Sequence, residues 1–295
     1  MKNLCALLVF LLSSFSSAAL AQAAPESLLV DTAYVASHLN DANIVLIEAG
    51  SHQEYDRQHI PGARLLTVED ISTPTKAQPG QLGLELLPVD TLRSRLEAAG
   101  ISDDSHIIVY SGKGEPFPLT TRIIFALQYM GMGGRTSLLN GGLAAWLKDG
   151  KPVTAEPPKI AAGKLTRGPV EGLVADASLV RSIADHPDYK LVDARTPNFY
   201  NGTDASFNGK GHIPGAINIP FREVTGSDSE IDLGHLKQVF ADAGVKPGDT
   251  VVTYCHLGAQ ATATLFGARL LGNPVKLYDG SFQDWVTNHR GDLVK

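Results

Sequence analysis

The chain contains the same sequence pattern twice, and this internal repeat constrains the fold more than any other feature. Residues 96–111 align without a gap with residues 240–255. Three further segments recur in the same order: 45–49 as 190–194, 59–63 as 212–216, and 139–146 as 277–285. Repetition on this scale in a chain of 295 residues predicts two copies of one domain.

The repeats also set the expected domain boundaries. We expect one domain over residues 25–152, a linker over 153–170, and a second domain over 171–295. The linker contains the pair Pro157-Pro158 as well as Gly163, and these residues favour an irregular connection.

Strand-like and helix-like segments alternate within each copy. In the second copy the predicted helices are 179–184, 231–243 and 262–271, and the predicted strands are 190–193, 216–219, 251–254 and 276–278. This alternation predicts an α/β fold of two tandem domains, each a parallel sheet with helices on both faces. Functional sites in such sheets form beyond the carboxyl ends of the strands.

Cys255 lies at such a strand end and is the catalytic residue that the sequence predicts. It follows the apolar run 251–254 and opens a short loop that leads into a helix. Backbone N–H groups of the loop and the helix dipole favour the thiolate, which is the nucleophile. The first copy has Ser111 at this position with no base partner visible in the sequence. We therefore expect the first domain to be structural and to shape the substrate site.

The first 23 residues are typical of a secretory signal peptide. Lys2 precedes a largely apolar stretch, and Ala21-Gln22-Ala23 fits a cleavage site. We expect cleavage near Ala23 and a periplasmic or secreted mature protein. The other cysteine, Cys5, lies in this leader, so Cys255 would be alone in the mature chain and an internal disulfide is excluded.

Composition and motif content exclude several functions. The net charge of −6 and the absence of Lys/Arg runs argue against nucleic acid or an anionic membrane as the main partner. No later stretch is apolar enough to span a bilayer, and no dinucleotide or phosphate-binding loop occurs, so we expect no cofactor. His59 and His212 recur in both copies without ligand-spaced neighbours, which favours a turn-forming role over a metal site.

The two copies together resemble the tandem rhodanese family, the two-domain sulfurtransferases. The motifs that carry this resemblance are residues 193–195, 211–216, 254–261 and 279–285. The resemblance implies an α/β fold, a cleft between the domains, and one catalytic cysteine in the C-terminal copy. It also implies that the cysteine takes sulfane sulfur from a donor as a persulfide and passes it to cyanide or a thiol.

A donor such as thiosulfate is a dianion, so a cation is expected to face the cysteine. Arg195, in the Asp193-Ala-Arg195 motif, is the predicted donor-binding residue because a guanidinium can hold two sulfonate oxygens. Asp193 is expected to bond the backbone at the base of the loop. The other predicted substrate-binding residues are His256, Leu257, Gly258, Ala259 and Gln260.

These loop residues have distinct expected contributions. Their backbone N–H groups stabilise the thiolate and then the persulfide anion. Gly258 permits tight curvature or close approach. We expect His256 either to titrate near neutral pH and add positive charge or to face solvent.

The donor and the functional class stay open at this point. Residues 255–258 depart from the loop patterns of thiosulfate-using and mercaptopyruvate-using relatives, and 197–200 lack the second arginine of the latter. We therefore expect thiosulfate in preference to 3-mercaptopyruvate, with a larger organic persulfide as a third donor. A carrier that hands persulfide to a protein partner is a further alternative. A cysteine phosphatase is disfavoured because Ala261 occupies the position of its loop arginine.

Overall fold

The computed structural model describes residues 27–76, 78, 80–226 and 228–295. The predicted leader lies outside this part of the chain. Among the described residues, no helix is long and apolar enough to cross a membrane.

The first domain is a parallel sheet with helices on both faces. In chain order its elements are β1 (Leu29–Val30), α1 (Thr32–His38), β2 (Ile44–Ala49), α2 (His52–Tyr55), β3 (Arg64–Leu66), α3 (Val89–Ala98), β4 (His106–Ser111), α4 (Phe117–Leu127), β5 (Thr136–Leu139) and α5 (Gly142–Lys148). The strand order is β1-β5-β4-β2-β3. All six residues of β4 are buried, as expected for a central strand covered on both faces.

The second domain repeats this arrangement. Its elements are α6 (Ala177–Ser182), β6 (Tyr189–Asp193), α7 (Pro197–Tyr200), β7 (Ala205–Ser206), β8 (Gly209–Lys210), β9 (Ile217–Asn218), α8 (Leu233–Asp242), β10 (Thr250–Tyr254), α9 (Ala259–Leu270), β11 (Val275–Leu277) and α10 (Ser281–Thr287). The main sheet has the order β11-β10-β6-β9, and β7 and β8 form a separate antiparallel pair. Val174 bridges Leu277 in the position that β1 occupies in the first domain.

The register of β10 places the end of one strand beside the end of another. Tyr254 is the Cα partner of Asp193 on β6, so Cys255 and the 193–195 segment emerge at the same edge of the sheet. The predicted parallel α/β architecture is confirmed. Helix α9 begins at Ala259 rather than at the predicted residue 262, because Gly258 adopts a φ of +91° and turns the chain directly into the helix.

The two domains share one apolar core. Helix α4 of the first domain packs against α9 of the second, and Ile123, Leu127, Ala263 and Phe266 belong to the same buried cluster. The hydroxyls of Thr121 and Thr262 hydrogen-bond across this contact at 2.8 Å. The domains therefore form a joint interior.

The linker packs on the first domain. Thr154 pairs with His59 through an antiparallel bridge, and Leu165 is buried in the shared core. A Cβ on Gly163 would lie 2.1 Å from the carbonyl oxygen of Ile101, so only glycine fits this approach. The linker is therefore packed against the first domain along much of its length.

We expect the isolated C-terminal half, residues 169–295, to lose stability, because the α4-facing side of α9 becomes exposed to water. Each large apolar side chain so exposed costs about 1.5–3 kcal/mol, and a few of them consume much of the roughly 5–15 kcal/mol typical of a domain. Urea unfolding followed by circular dichroism measures this. A midpoint equal to that of the whole chain would contradict the joint core.

Candidate active site

Cys255 lies at the carboxyl end of β10, on the floor of a cleft between the two domains. The cleft has a volume of about 820 Å³. The first domain contributes Leu84 and residues 115–119 to its walls, and the second domain contributes 221–222, 225–226, Ser229, 255–257 and 259–260. Only 1% of the surface of Cys255 is exposed, so the sulfur is reached through the cleft and is otherwise surrounded by protein.

The loop after Cys255 directs backbone N–H groups toward the sulfur, as the sequence predicts. Donors to it are the backbone groups of Ala261, Leu257, Gly258 and Gln260, and the first turn of α9 contributes two of them. These bonds lower the pKa of the thiol, but burial has the larger effect and raises the pKa above its ordinary value. The expected donors are in place, but the raised pKa favours the thiol and not the expected thiolate.

Two residues of the 279–285 segment hold the loop, and the sequence argument gave them no role. Ser281 Oγ accepts a hydrogen bond from the N–H of Cys255 at 3.2 Å and donates to the carbonyl of Tyr278 at 2.8 Å. A Cβ on Gly258 would lie 2.8 Å from both the carbonyl oxygen and Oδ1 of Asp279. Gly258 is therefore required for close approach as well as for its positive φ.

Arg195 does not line the cleft, and this differs from the predicted donor contact. Its guanidinium is 1% exposed, donates from Nη2 to Asp193 Oδ2 at 2.5 Å, and donates to the carbonyl of Gly211 at 2.8 Å. The guanidinium carbon also lies 3.8 Å from the ring centre of Phe282. These contacts hold the Arg195 side chain against the end of β6 and away from the cleft. Asp193 accepts a hydrogen bond from the Arg195 backbone N–H, as expected.

His256 lines the cleft, and its surroundings there disfavour the positive charge near neutral pH that is one of its two predicted roles. Burial and the nearby Arg195 guanidinium lower the pKa of His256 to about 4. Nδ1 lies 2.8 Å from Ser206 Oγ, and the ring packs edge-on against Phe199. His256 is a neutral wall of the cleft above about pH 5.

The remaining predicted loop residues divide into two groups. Leu257, Ala259 and Gln260 line the cleft with Cys255, whereas Gly258 faces the sulfur with its backbone only. Gln260 Oε1 is buried without a hydrogen-bond partner among the described residues. This side chain has unused acceptor capacity at the cleft wall.

A cation at the cleft was missed by the sequence argument. Arg222 is exposed, lies 5.6 Å over the ring of Phe221, and forms no ion pair within the described residues. It lines the same cleft as the first-domain wall, which is largely apolar and includes Phe117 and Leu119. Arg222 lies far from Cys255 in the sequence, so no motif around Cys255 indicates that Arg222 lines the cleft.

The first domain keeps the architecture of the site without its chemistry. Ser111 is buried and shares a 2.7 Å hydrogen bond with Thr120 Oγ1, so its hydroxyl does not face the cleft. Glu48 stands where Asp193 stands in the second copy, and Gly50 replaces Arg195. Without the arginine, burial raises the pKa of Glu48 to about 7.

The repeated histidines stabilise turns. His59 Nδ1 lies 2.8 Å from the carbonyl of Tyr55, and His212 Nδ1 lies 2.9 Å from that of Tyr200. Each imidazole also stacks on the ring of that tyrosine. These contacts support the turn-forming interpretation.

Comparison with known proteins gives the same fold and the same repeat. Residues 31–149 and 176–288 each match the Rhodanese-like domain family. A "Probable 3-mercaptopyruvate sulfurtransferase" of Pseudomonas aeruginosa is 33% identical over 80% of this chain and 84% of its own. Thiosulfate sulfurtransferase of Rattus norvegicus is 32% identical over 80% of each chain. A solved structure of a 3-mercaptopyruvate sulfotransferase from Escherichia coli is 26% identical, with a TM-score of 0.75 over 87% of this chain and 99% of that one.

The low pKa of His256 predicts that the ring does not shape the pH profile of sulfur transfer. Between about pH 5.5 and 8 the imidazole is neutral, so His256→Gln should change the shape of the kcat/KM profile little. Measurement uses steady-state rates across this range, with His289→Gln as the control for an exposed histidine outside the cleft. A wild-type limb with a midpoint of about 6–7 that disappears in His256→Gln would show a charged role.

Proposed function

This chain belongs to the rhodanese family of sulfurtransferases, and on that premise we propose that the transferred sulfur atom is carried as a persulfide on Cys255. The observation that supports this most strongly is the position of the Cys255 sulfur. It lies on the floor of the interdomain cleft and receives four backbone N–H groups of its own loop. Such a cradle stabilises an anion on sulfur without a cofactor.

In the first half-reaction, the thiolate of Cys255 attacks the sulfane sulfur of the donor. With thiosulfate, a new S–S bond forms on Cys255, the donor S–S bond breaks, and sulfite leaves with its electron pair. Because burial raises the pKa of the thiol, only a minority of molecules hold the thiolate at neutral pH. The reaction is expected to accelerate as pH rises toward that pKa.

In the second half-reaction, an acceptor attacks the outer sulfur of the persulfide. Cyanide yields thiocyanate, a thiolate yields a new persulfide, and Cys255 returns as the thiolate in either case. The loop N–H groups stabilise both anionic forms of the cysteine. The same loop N–H groups therefore stabilise the sulfur anion in both half-reactions.

The donor is proposed to be thiosulfate in preference to 3-mercaptopyruvate, with Arg222 in place of Arg195 as the residue that meets its charge. Arg195 is committed to Asp193 and Gly211, whereas Arg222 is exposed at the cleft. A guanidinium suits the sulfonate oxygens of thiosulfate, and it also suits the carboxylate of the alternative donor. The open, partly apolar cleft leaves a larger organic persulfide as the third donor.

The proposal also covers the cellular compartment of the protein and its sulfur acceptor. The leader-like sequence of residues 1–23 supports export to the periplasm or secretion. Cyanide or a small thiol is the proposed acceptor, and delivery to a protein partner is the alternative. Many turnovers with excess cyanide distinguish an enzyme from a carrier dedicated to a protein.

Cys255→Ser should abolish sulfur transfer, because a hydroxyl without an adjacent base is a poor nucleophile. Mass spectrometry of the protein incubated with thiosulfate should show one added sulfur atom in wild type, lost again on addition of cyanide, and none in the variant. The unfolding midpoint should change little, since the substitution conserves shape. Sulfur loading of Cys255→Ser would overturn the persulfide mechanism.

Arg222→Gln should lower kcat/KM for thiosulfate about ten- to a hundredfold, because charge-assisted contacts contribute roughly 1.5–3 kcal/mol. Alkylation of Cys255 by neutral iodoacetamide should stay within about twofold of wild type. Arg57→Gln removes an exposed arginine outside the cleft and serves as the control. If only Arg195→Gln lowers kcat/KM for thiosulfate, Arg195 and not Arg222 binds the donor anion.

A wild-type kcat/KM higher for 3-mercaptopyruvate than for thiosulfate would reverse the donor assignment.

A further inference from the structure

A buried arginine of the non-catalytic domain reaches the catalytic loop of the other domain. Arg122 lies on α4, is 0% exposed, and donates from Nη1 to Asp279 Oδ1 at 2.5 Å. Asp279 belongs to the second domain and precedes α10. A buried ion pair between two domains is costly to desolvate, so its presence here is weak evidence for stability.

The pair touches the loop at the one residue that has no side chain. A Cβ on Gly258 would lie 2.8 Å from Asp279 Oδ1 and 3.4 Å from Arg122 Nη1. The N–H of Gly258 is one of the groups that donate to the sulfur of Cys255. Adding standard bond lengths and one hydrogen bond places both charges within about 10 Å of that sulfur.

The first domain fixes this pair with more than the arginine. Arg122 Nε donates to Ser72 Oγ at 3.0 Å, and Nη2 donates to the carbonyl of Leu84. Asp279 Oδ2 accepts the backbone N–H of Leu86 at 3.0 Å. Each nitrogen of the Arg122 guanidinium and each carboxylate oxygen of Asp279 therefore has a partner, and these bonds hold both side chains in one orientation.

We propose that Arg122 and Asp279 are positioning residues that set the Gly258 backbone against the sulfur, so that the first domain takes part in controlling the nucleophile. The inference rests on the proposed role of Cys255. It assigns the first domain an electrostatic task in addition to forming a cleft wall. In the intact pair the two opposite charges largely offset each other at the sulfur.

Removal of one partner leaves a single charge, and the two removals act in opposite directions. Arg122→Gln leaves the carboxylate, which disfavours the thiolate and moves the alkylation profile of Cys255 to higher pH. Asp279→Asn leaves the guanidinium and moves the profile to lower pH. An uncompensated charge within about 10 Å, at an effective dielectric constant of about 20, moves a pKa by about one unit.

Other charges face the same loop and must stay constant in the comparison. Burial and the carboxylate of Asp279 raise the pKa of Glu85 to about 7, so its titration overlaps the range of interest. Glu85→Gln in each background removes that overlap. Besides Arg122 and Asp279, the charged or titratable groups near the loop or the cleft include Asp193, Arg195, His256, Glu85, Glu115, Asp284 and Arg222.

The experiment measures the iodoacetamide reaction of the full chain from pH 6 to 10, followed by mass spectrometry of the peptide that contains Cys255. We expect a profile about one pH unit higher for Arg122→Gln, about one unit lower for Asp279→Asn, and close to wild type for the double variant. Arg122→Lys should restore most of the wild-type profile. If Arg122→Gln does not fold, the direction of the Asp279→Asn shift decides.

Arg269→Gln is the control for loss of an interdomain arginine, although Arg269 is half-buried whereas Arg122 is fully buried. Arg269 lies near the end of α9, where it donates to the carbonyl of Gly133 at 2.5 Å across the same domain contact. Its loss should lower the unfolding midpoint without moving the alkylation profile. Shifts of Arg122→Gln and Asp279→Asn in the same direction, or no shift in Asp279→Asn, would overturn the proposal. Failure of wild type to load sulfur from thiosulfate would instead reject the proposed function, because alkylation reports on the loop independently.

Discussion

Removal of the Cys255 sulfur from water is the constraint on which the rest of the site depends. Burial alone favours the neutral thiol, and the four loop N–H groups offset this only in part. Those groups converge because the chain turns directly from β10 into α9 through Gly258. Asp279 packs against Gly258 at this turn, and Ser281 accepts a hydrogen bond from the Cys255 N–H. A buried sulfur anion at this position thus requires a strand, a helix and a second loop in fixed register.

The two copies differ in whether the strand edge carries an arginine. In the second copy, Asp193 is buried, is paired with Arg195, and accepts from Tyr254. In the first copy, Tyr110 donates to Glu48 at 2.6 Å, but Gly50 supplies no cation and the pKa of the carboxyl rises. Both copies keep the strand and a buried tyrosine, Tyr110 and Tyr254, whose hydroxyl interacts with the carboxylate. Only the second copy pairs that carboxylate with an arginine.

The sequence predicted the duplicated α/β fold and the position of Cys255, because both leave local signals in repeats, apolar runs and a strand–loop–helix pattern. It did not predict the partners of Arg195, since a side chain at a strand end can turn toward the cleft or fold back beneath it. The low pKa of His256 also follows from burial against Phe199, which no spacing reveals. Arg222 and Arg122 come from distant segments that only the tertiary fold brings to the site.

The joint core explains why a domain without a nucleophile remains fixed to one that has it. Packing of α4 on α9 closes the cleft on one side, and the same helix α4 carries Arg122 to the base of the catalytic loop. The same helix also lines the cleft, with Phe117 to Leu119 in its first turn and with Glu115 and Pro116 just before it. Helix α4 therefore packs the shared core, lines the cleft and places a charged residue near the catalytic loop. Because these roles share one interface, a mutation that loosens α4 should affect the sulfur even though no residue of α4 lies beside it in sequence.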